Sequence, residues 1–103
     1  MPHPCGGAIV ALLSAAALLG CARAPQVPFE NLRYSAALLT AASSRSVEQL
    51  DRVAAVIDDD SRSGRLSDQE RSAYDAIIAT MRSGRWENAE EACRRFRKAQ
   101  LRR

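Results

Sequence analysis

The sequence predicts an all-α fold: a small antiparallel bundle of three to four helices over residues 29–103, behind an N-terminal leader. Three observations predict it. All four prolines lie at or before Pro28, and from Phe29 to Arg103 the chain is rich in Ala, Leu, Glu and Arg, a composition that favours helix. Only two glycines remain in that stretch. They lie twenty residues apart in near-identical contexts, Arg62-Ser63-Gly64-Arg65-Leu66 and Arg82-Ser83-Gly84-Arg85-Trp86. Between these punctuation points, apolar residues recur at three-and-four spacing, the period of an amphipathic helix.

Residues 21–28 form a tether, kept out of helix by Pro25 and Pro28. The first helix is expected from about Glu30 to Ala42, with Leu32, Ala36, Leu39 and Phe29 on its apolar side. Serines 43, 44 and 46 then loosen the chain. Ser46-Val47-Glu48-Gln49 has capping-box spacing: the Ser hydroxyl accepts a free N–H and the Gln reaches back. The second helix follows to about Ser61, with Val47, Leu50, Val53, Ala54 and Ile57 on one face. Glycine just past a helix end supplies a left-handed residue that terminates it, so Gly64 ends this helix. Ser67-Asp68-Gln69-Glu70 is a second capping box. It opens a third helix to about Arg82, with a stripe of Ala73, Tyr74, Ile77, Ile78 and Met81. Gly84 is the next stop. The fourth helix, Trp86 to Gln100, offers Trp86, Ala89, Cys93 and Phe96. Short turns then impose antiparallel packing.

The leader carries the most specific motif. Leu18-Leu19-Gly20-Cys21 directly follows an uncharged apolar run from Gly6 to Leu19. That run has the length of a signal-peptide core and falls short of the ~20 residues of a spanning helix. The motif resembles the lipobox of bacterial lipoproteins. The resemblance implies cleavage of residues 1–20, which makes Cys21 the new N-terminus, and a diacylglycerol on the Cys21 sulfur, a lipid anchor with acyl chains such as palmitate. Ala22 after the Cys implies the outer membrane, facing the periplasm, within a bacterial cell envelope. Met1-Pro2-His3-Pro4 departs from the signal-peptide pattern in having no Lys or Arg. An ordinary signal peptide and a short spanning segment compete for the same run.

From Cys21 onward 83 residues remain, a size at which a single core is marginal without staples. Cysteine offers none. Cys5 leaves with the leader, Cys21 is the lipidation site, and Cys93 lies on an apolar stripe where burial is expected. His3 is the only histidine and falls in the leader. A cysteine–histidine zinc site and Ser–His or Cys–His catalysis are therefore excluded. Arg94 and Arg95 are the residues that could depress the Cys93 pKa. The carboxylate pairs Glu90/Glu91 and Asp58/Asp59 fall on solvated faces, unlike working acid–base pairs. No enzymatic activity and no cofactor are expected.

Two further patterns carry chemistry. Asp59 to Glu70 has the spacing of an EF-hand calcium loop: Asp59, Ser61, Ser63, the Arg65 carbonyl and Glu70 take ligand positions, and Gly64 takes the sharp turn. Serines at two carboxylate positions, and Arg62 and Arg65 within the loop, weaken the match. Capping and turn formation account for the same residues. The net charge is +3, with Arg94, Arg95, Arg97, Lys98, Arg102 and Arg103 concentrated at the C-terminus. Such a run offsets a helix macrodipole or meets anionic lipid or a polyanion. Nucleic acid is not expected, because no aromatics are interleaved to stack on bases.

Gly84-Arg85-Trp86-Glu87-Asn88-Ala89 resembles the turn inside a tetratricopeptide repeat. It occurs once, and a solenoid needs about three repeats. Residues 47–99, with their Gly-Arg-Leu-Ser turn, Ile-Ile helix and Gly-x-Trp-x-x-Ala turn, also resemble the small helical domain of the steroid receptor RNA activator type. That resemblance implies a protein-interaction domain without catalytic residues. The expected function is a membrane-anchored lipoprotein with a structural or protein-binding helical module. Its expected partners are the membrane, through the lipid, and an envelope protein.

Overall fold

The computed structural model describes residues 25–101. A 3-10 turn at Phe29–Asn31 leads into four helices: α1 (Leu32–Ser44), α2 (Val47–Arg62), α3 (Asp68–Arg82) and α4 (Trp86–Gln100). The fold is the expected all-α bundle. Cross-helix pairs establish its antiparallel sense. Arg33 at the start of α1 meets Asp60 near the end of α2. Asp51 and Asp58 of α2 meet Arg82 and Arg71 of α3 in reverse order. Ser35 and Ser43 of α1 meet Arg97 and Glu90 of α4, again reversed. The α1–α4 interface is the most extensive, α1 also touches α3, and α2 and α4 occupy the long diagonal. Leu18-Leu19-Gly20-Cys21, Arg102 and Arg103 lie outside the described residues.

The helix starts and stops follow local chemistry. The Ser46 hydroxyl accepts the Gln49 N–H (3.1 Å), and the Ser67 hydroxyl accepts the Glu70 N–H (3.0 Å). Neither capping box is closed by its second half. Gln49 Oε1 instead accepts from the Ser44 hydroxyl at 2.9 Å, and the Glu70 side chain turns into the core. Gly64 (φ 82°) and Gly84 (φ 84°) are left-handed. After each, the next N–H returns to a carbonyl five residues back, Arg65 to Asp60 (2.9 Å) and Arg85 to Thr80 (3.2 Å). The α1–α2 turn puts a non-glycine in the same region, Arg45 at φ 51°. A Cβ at either glycine would meet no atom within 4 Å. Gly64→Ala and Gly84→Ala should therefore each cost only the backbone term, about 1 kcal/mol, and Arg45→Gly should recover up to a similar amount. Urea unfolding midpoints of the three variants check both signs.

The core combines Tyr34, Leu38, Ala41 and Ala42 of α1 with Leu50 and Ile57 of α2. Tyr74, Ile77 and Met81 of α3 and Ala89, Cys93 and Phe96 of α4 complete it, closed by Val27 and Leu66 at one end. The expected stripes of α3 and α4 hold, with Ala73, Ile78 and Trp86 half-buried at the edges. Two expectations are corrected. The buried face of α1 is rotated: Leu32, Ala36 and Leu39 are flanking residues, and Phe29 is 79% exposed. Helix α1 meets three neighbours, so its centre lies where Tyr34 can reach Tyr74, with ring centroids 5.6 Å apart; Tyr74 in turn lies 5.5 Å from Phe96. Val47 is 57% exposed, because the first residue of α2 projects beyond its contact with α1.

Candidate functional site

The end of the bundle where α1 and α3 begin and α2 and α4 end gathers most of the unusual polar chemistry. Its first part is the turn read as a calcium loop. Glu70 is buried, and its side-chain oxygens accept from Tyr74 Oη–H (2.8 Å) and Asn31 Nδ2–H (3.2 Å). Asn31 Nδ2 also reaches the Arg65 carbonyl at 3.3 Å. Two of the five candidate ligands, the Arg65 carbonyl and Glu70, are thus gathered around the Asn31 amide. Asp59 is exposed on α2, and the Ser63 hydroxyl donates to the Asp60 carbonyl. Ser61 is half-buried. Among the described residues, no group of three or more His, Cys, Asp or Glu could hold a metal ion.

The acid that turns inward from the aspartate cluster is Asp60. It accepts from the Tyr34 hydroxyl and from Arg33 and Arg65. Burial, then the hydrogen bond to Asp60, pushes the Tyr34 pKa up. Burial, then the bond to Glu70, pushes Tyr74 up as well. Both phenols therefore remain protonated donors at neutral pH. Arg71 bridges Asp75 and Asp58.

The second part is a clamp between the tether and α4. Gln100 Oε1 accepts the Val27 N–H at 3.0 Å, and Gln100 Nε2 donates to the Pro25 carbonyl at 2.9 Å. Gln26 Nε2 donates to the Ala99 carbonyl at 3.2 Å. A side-chain amide can present one donor and one acceptor side by side, and Gln100 uses this to hold two backbone groups of an extended segment. Beside the clamp lies the basic run. Arg94 and Arg95 pair with Glu90 and Glu91 one turn back, each at 2.9 Å. Arg97 packs over the start of α1, donating to the Ser35 hydroxyl at 3.3 Å. Lys98 is exposed and has no ion pair among the described residues.

Sequence reasoning missed Asn31, Gln100 and the inward turn of Glu70. Gln100 was findable, because it continues the stripe of Ala89, Cys93 and Phe96 by one more turn. Asn31 leaves no such trace. Cys93 is completely buried, as expected, and burial pushes its thiol up to about 11 despite the opposing pull of Arg97 and Arg94. A protonated, inaccessible thiol is a poor nucleophile.

Two of the surface recesses among the described residues differ in character. One of about 260 Å³ lies between α1 and α2, where Ala37, Val53 and Val56 give it an apolar floor between Arg33 and Arg52. The other, about 420 Å³, is a polar hollow between α3 and α4 near Arg85, Glu91 and Arg95. Among the described residues, no helix is long and apolar enough to cross a membrane. Comparison with known proteins found no family model, no curated protein and no solved structure that matches this chain.

Proposed function

We propose that this chain is a lipid-anchored protein of a bacterial cell envelope, with Cys21 as the acylated residue and the four-helix bundle as a structural or protein-binding module. The observation that carries the reading is Leu18-Leu19-Gly20-Cys21 after an uncharged apolar run. The reading is compatible with the fold: the Pro25 carbonyl accepts from Gln100 and Val27 is buried, a few residues past Cys21 in sequence. Two acyl chains give a stable anchor at ~0.8 kcal/mol per buried methylene, so no spanning segment is needed. The apolar groove between α1 and α2 supports a binding role over a purely structural one, because Val56 is half-exposed there.

Intact mass of the protein from the membrane fraction of a bacterial host tests this. The expected result is loss of residues 1–20 together with added acyl chains, and neither modification in Cys21→Ser. A full-length or merely truncated mass without acyl chains would sink the lipoprotein reading.

A further inference from the structure

Helix α2 packs on α1 and α3 and lies diagonally across from α4, so one long face of its 16 residues meets solvent. At the three-and-four spacing of a helix surface, the exposed residues on that face are Glu48, Arg52, Ala55, Val56 and Asp59, with Ser63 just past its end. Val56 is 50% exposed. It rims the recess of about 260 Å³ against α1, where Ala37 and Val53 form the floor. The patch therefore carries an apolar knob beside an apolar hole, the two parts that facing helices interlock.

The charges on this face are self-complementary. Turned end over end about a point between Ala55 and Val56, the stripe sets Arg52 opposite Asp59, Ala55 opposite Val56, and Glu48 opposite Ser63. Arg52 and Asp59 lie at equal distances from that point, ~5 Å along the helix on either side. Both are open to a partner. Arg52 holds only Glu48, one turn back, in a pair exposed on both sides. Asp59 has no ion pair among the described residues, whereas its neighbours Asp58 and Asp60 are held by arginines of this chain. Asp51, on the flank of the face, is held by Arg82.

We propose that α2 pairs antiparallel with α2 of a second copy, about a two-fold axis at Ala55 and Val56. Arg52 of each copy meets Asp59 of the other, and each Val56 enters the recess of the other. A two-fold interface uses one patch twice, so the patch must complement itself. A foreign partner places no such demand, and would leave the symmetry of the stripe unexplained. The proposal rests on the reading of the α1–α2 groove as a binding surface and is independent of Cys21. A single helix pair ~20 Å long is at the small end of specific interfaces, so the dimer is a weak one.

Sedimentation equilibrium of the full chain in density-matched detergent tests this. The native chain should approach twice the protomer mass as concentration rises. Arg52→Glu and Asp59→Arg each set like charges opposite one another twice per dimer, and each should lower the association constant by about tenfold. Both sites are exposed, so both variants keep the native fold, which thermal unfolding checks. An equimolar mixture of the two variants should recover native association, because each position then meets its opposite charge on the other variant. Positions 52 and 59 are two turns apart on one helix, so recovery in the mixture reports contact between copies. A native chain that stays monomeric up to millimolar concentration would overturn the proposal. So would single variants that associate like the native chain, or a mixture that associates no better than its components. Intact mass on the same preparations reads the acyl anchor separately: an acylated monomer removes the dimer and keeps the anchor.

Discussion

Glu70→Ala should destabilise the bundle by about 3 kcal/mol, because it removes a buried acceptor and leaves its donors behind. The Glu70 side chain accepts from Tyr74 and Asn31 in a region closed to solvent. Tyr74 Oη would retain only a long contact to the Asn31 carbonyl at 3.4 Å, and the Asn31 amide its 3.3 Å bond to the Arg65 carbonyl. For a domain of this size the loss corresponds to a fall in Tm of about 15 °C. Glu70→Gln keeps the shape and one acceptor oxygen, so it should cost about 1 kcal/mol. A helix-capping role alone would make both changes small, because the cap bond uses the Glu70 N–H, which either variant retains. Calcium binding makes a different demand. Glu70 would have to leave both donors to reach a metal, and a ligand stabilises only by its affinity for the folded state. Thermal unfolding of the three chains with and without calcium separates these cases. The expected pattern is a large drop for Ala, a small one for Gln and no shift with calcium. A calcium-dependent rise in Tm that Glu70→Gln abolishes would restore the ion-binding reading.

The helices were legible because their signals are local. Ser46, Ser67, Gly64 and Gly84 act on backbone groups within five residues of themselves, and three-and-four spacing needs no knowledge of the partner helix. What failed was non-local. The buried face of α1 depends on its meeting three other helices, and its Ala-rich sequence presents an apolar residue on nearly every side. The choice of Tyr34 over Phe29 as the packed aromatic was decided by Tyr74 on α3 and Asp60 on α2. Glu70 has the same origin. In sequence it is the acid of a capping box, and only the arrival of Asn31 from thirty-nine residues away turns it inward. The basic run was visible as composition. Its placement beside the tether was not, because that depends on a contact between Val27 and Gln100, seventy-three residues apart.

Gln100→Ala should cost about 2 kcal/mol and about 10 °C in Tm, and its effect should be concentrated at one end of the molecule. The substitution strands the Val27 N–H, which is buried, and releases the Pro25 carbonyl. Val27 is 2% exposed, so freeing the segment also returns its side chain to water, worth roughly 1.5 kcal/mol when complete. Local opening of this kind can precede global unfolding. Hydrogen exchange at the Val27 amide should accelerate far more than at Leu38 or Ile57 in the core. Gln100→Glu discriminates between the two halves of the clamp: a carboxylate still accepts from Val27 but cannot donate to Pro25, so its cost should fall between native and Ala. A loss below about 0.5 kcal/mol, the scale of ordinary surface changes, with Val27 still protected, would mean that packing and the Gln26 bond to the Ala99 carbonyl hold the tether without Gln100.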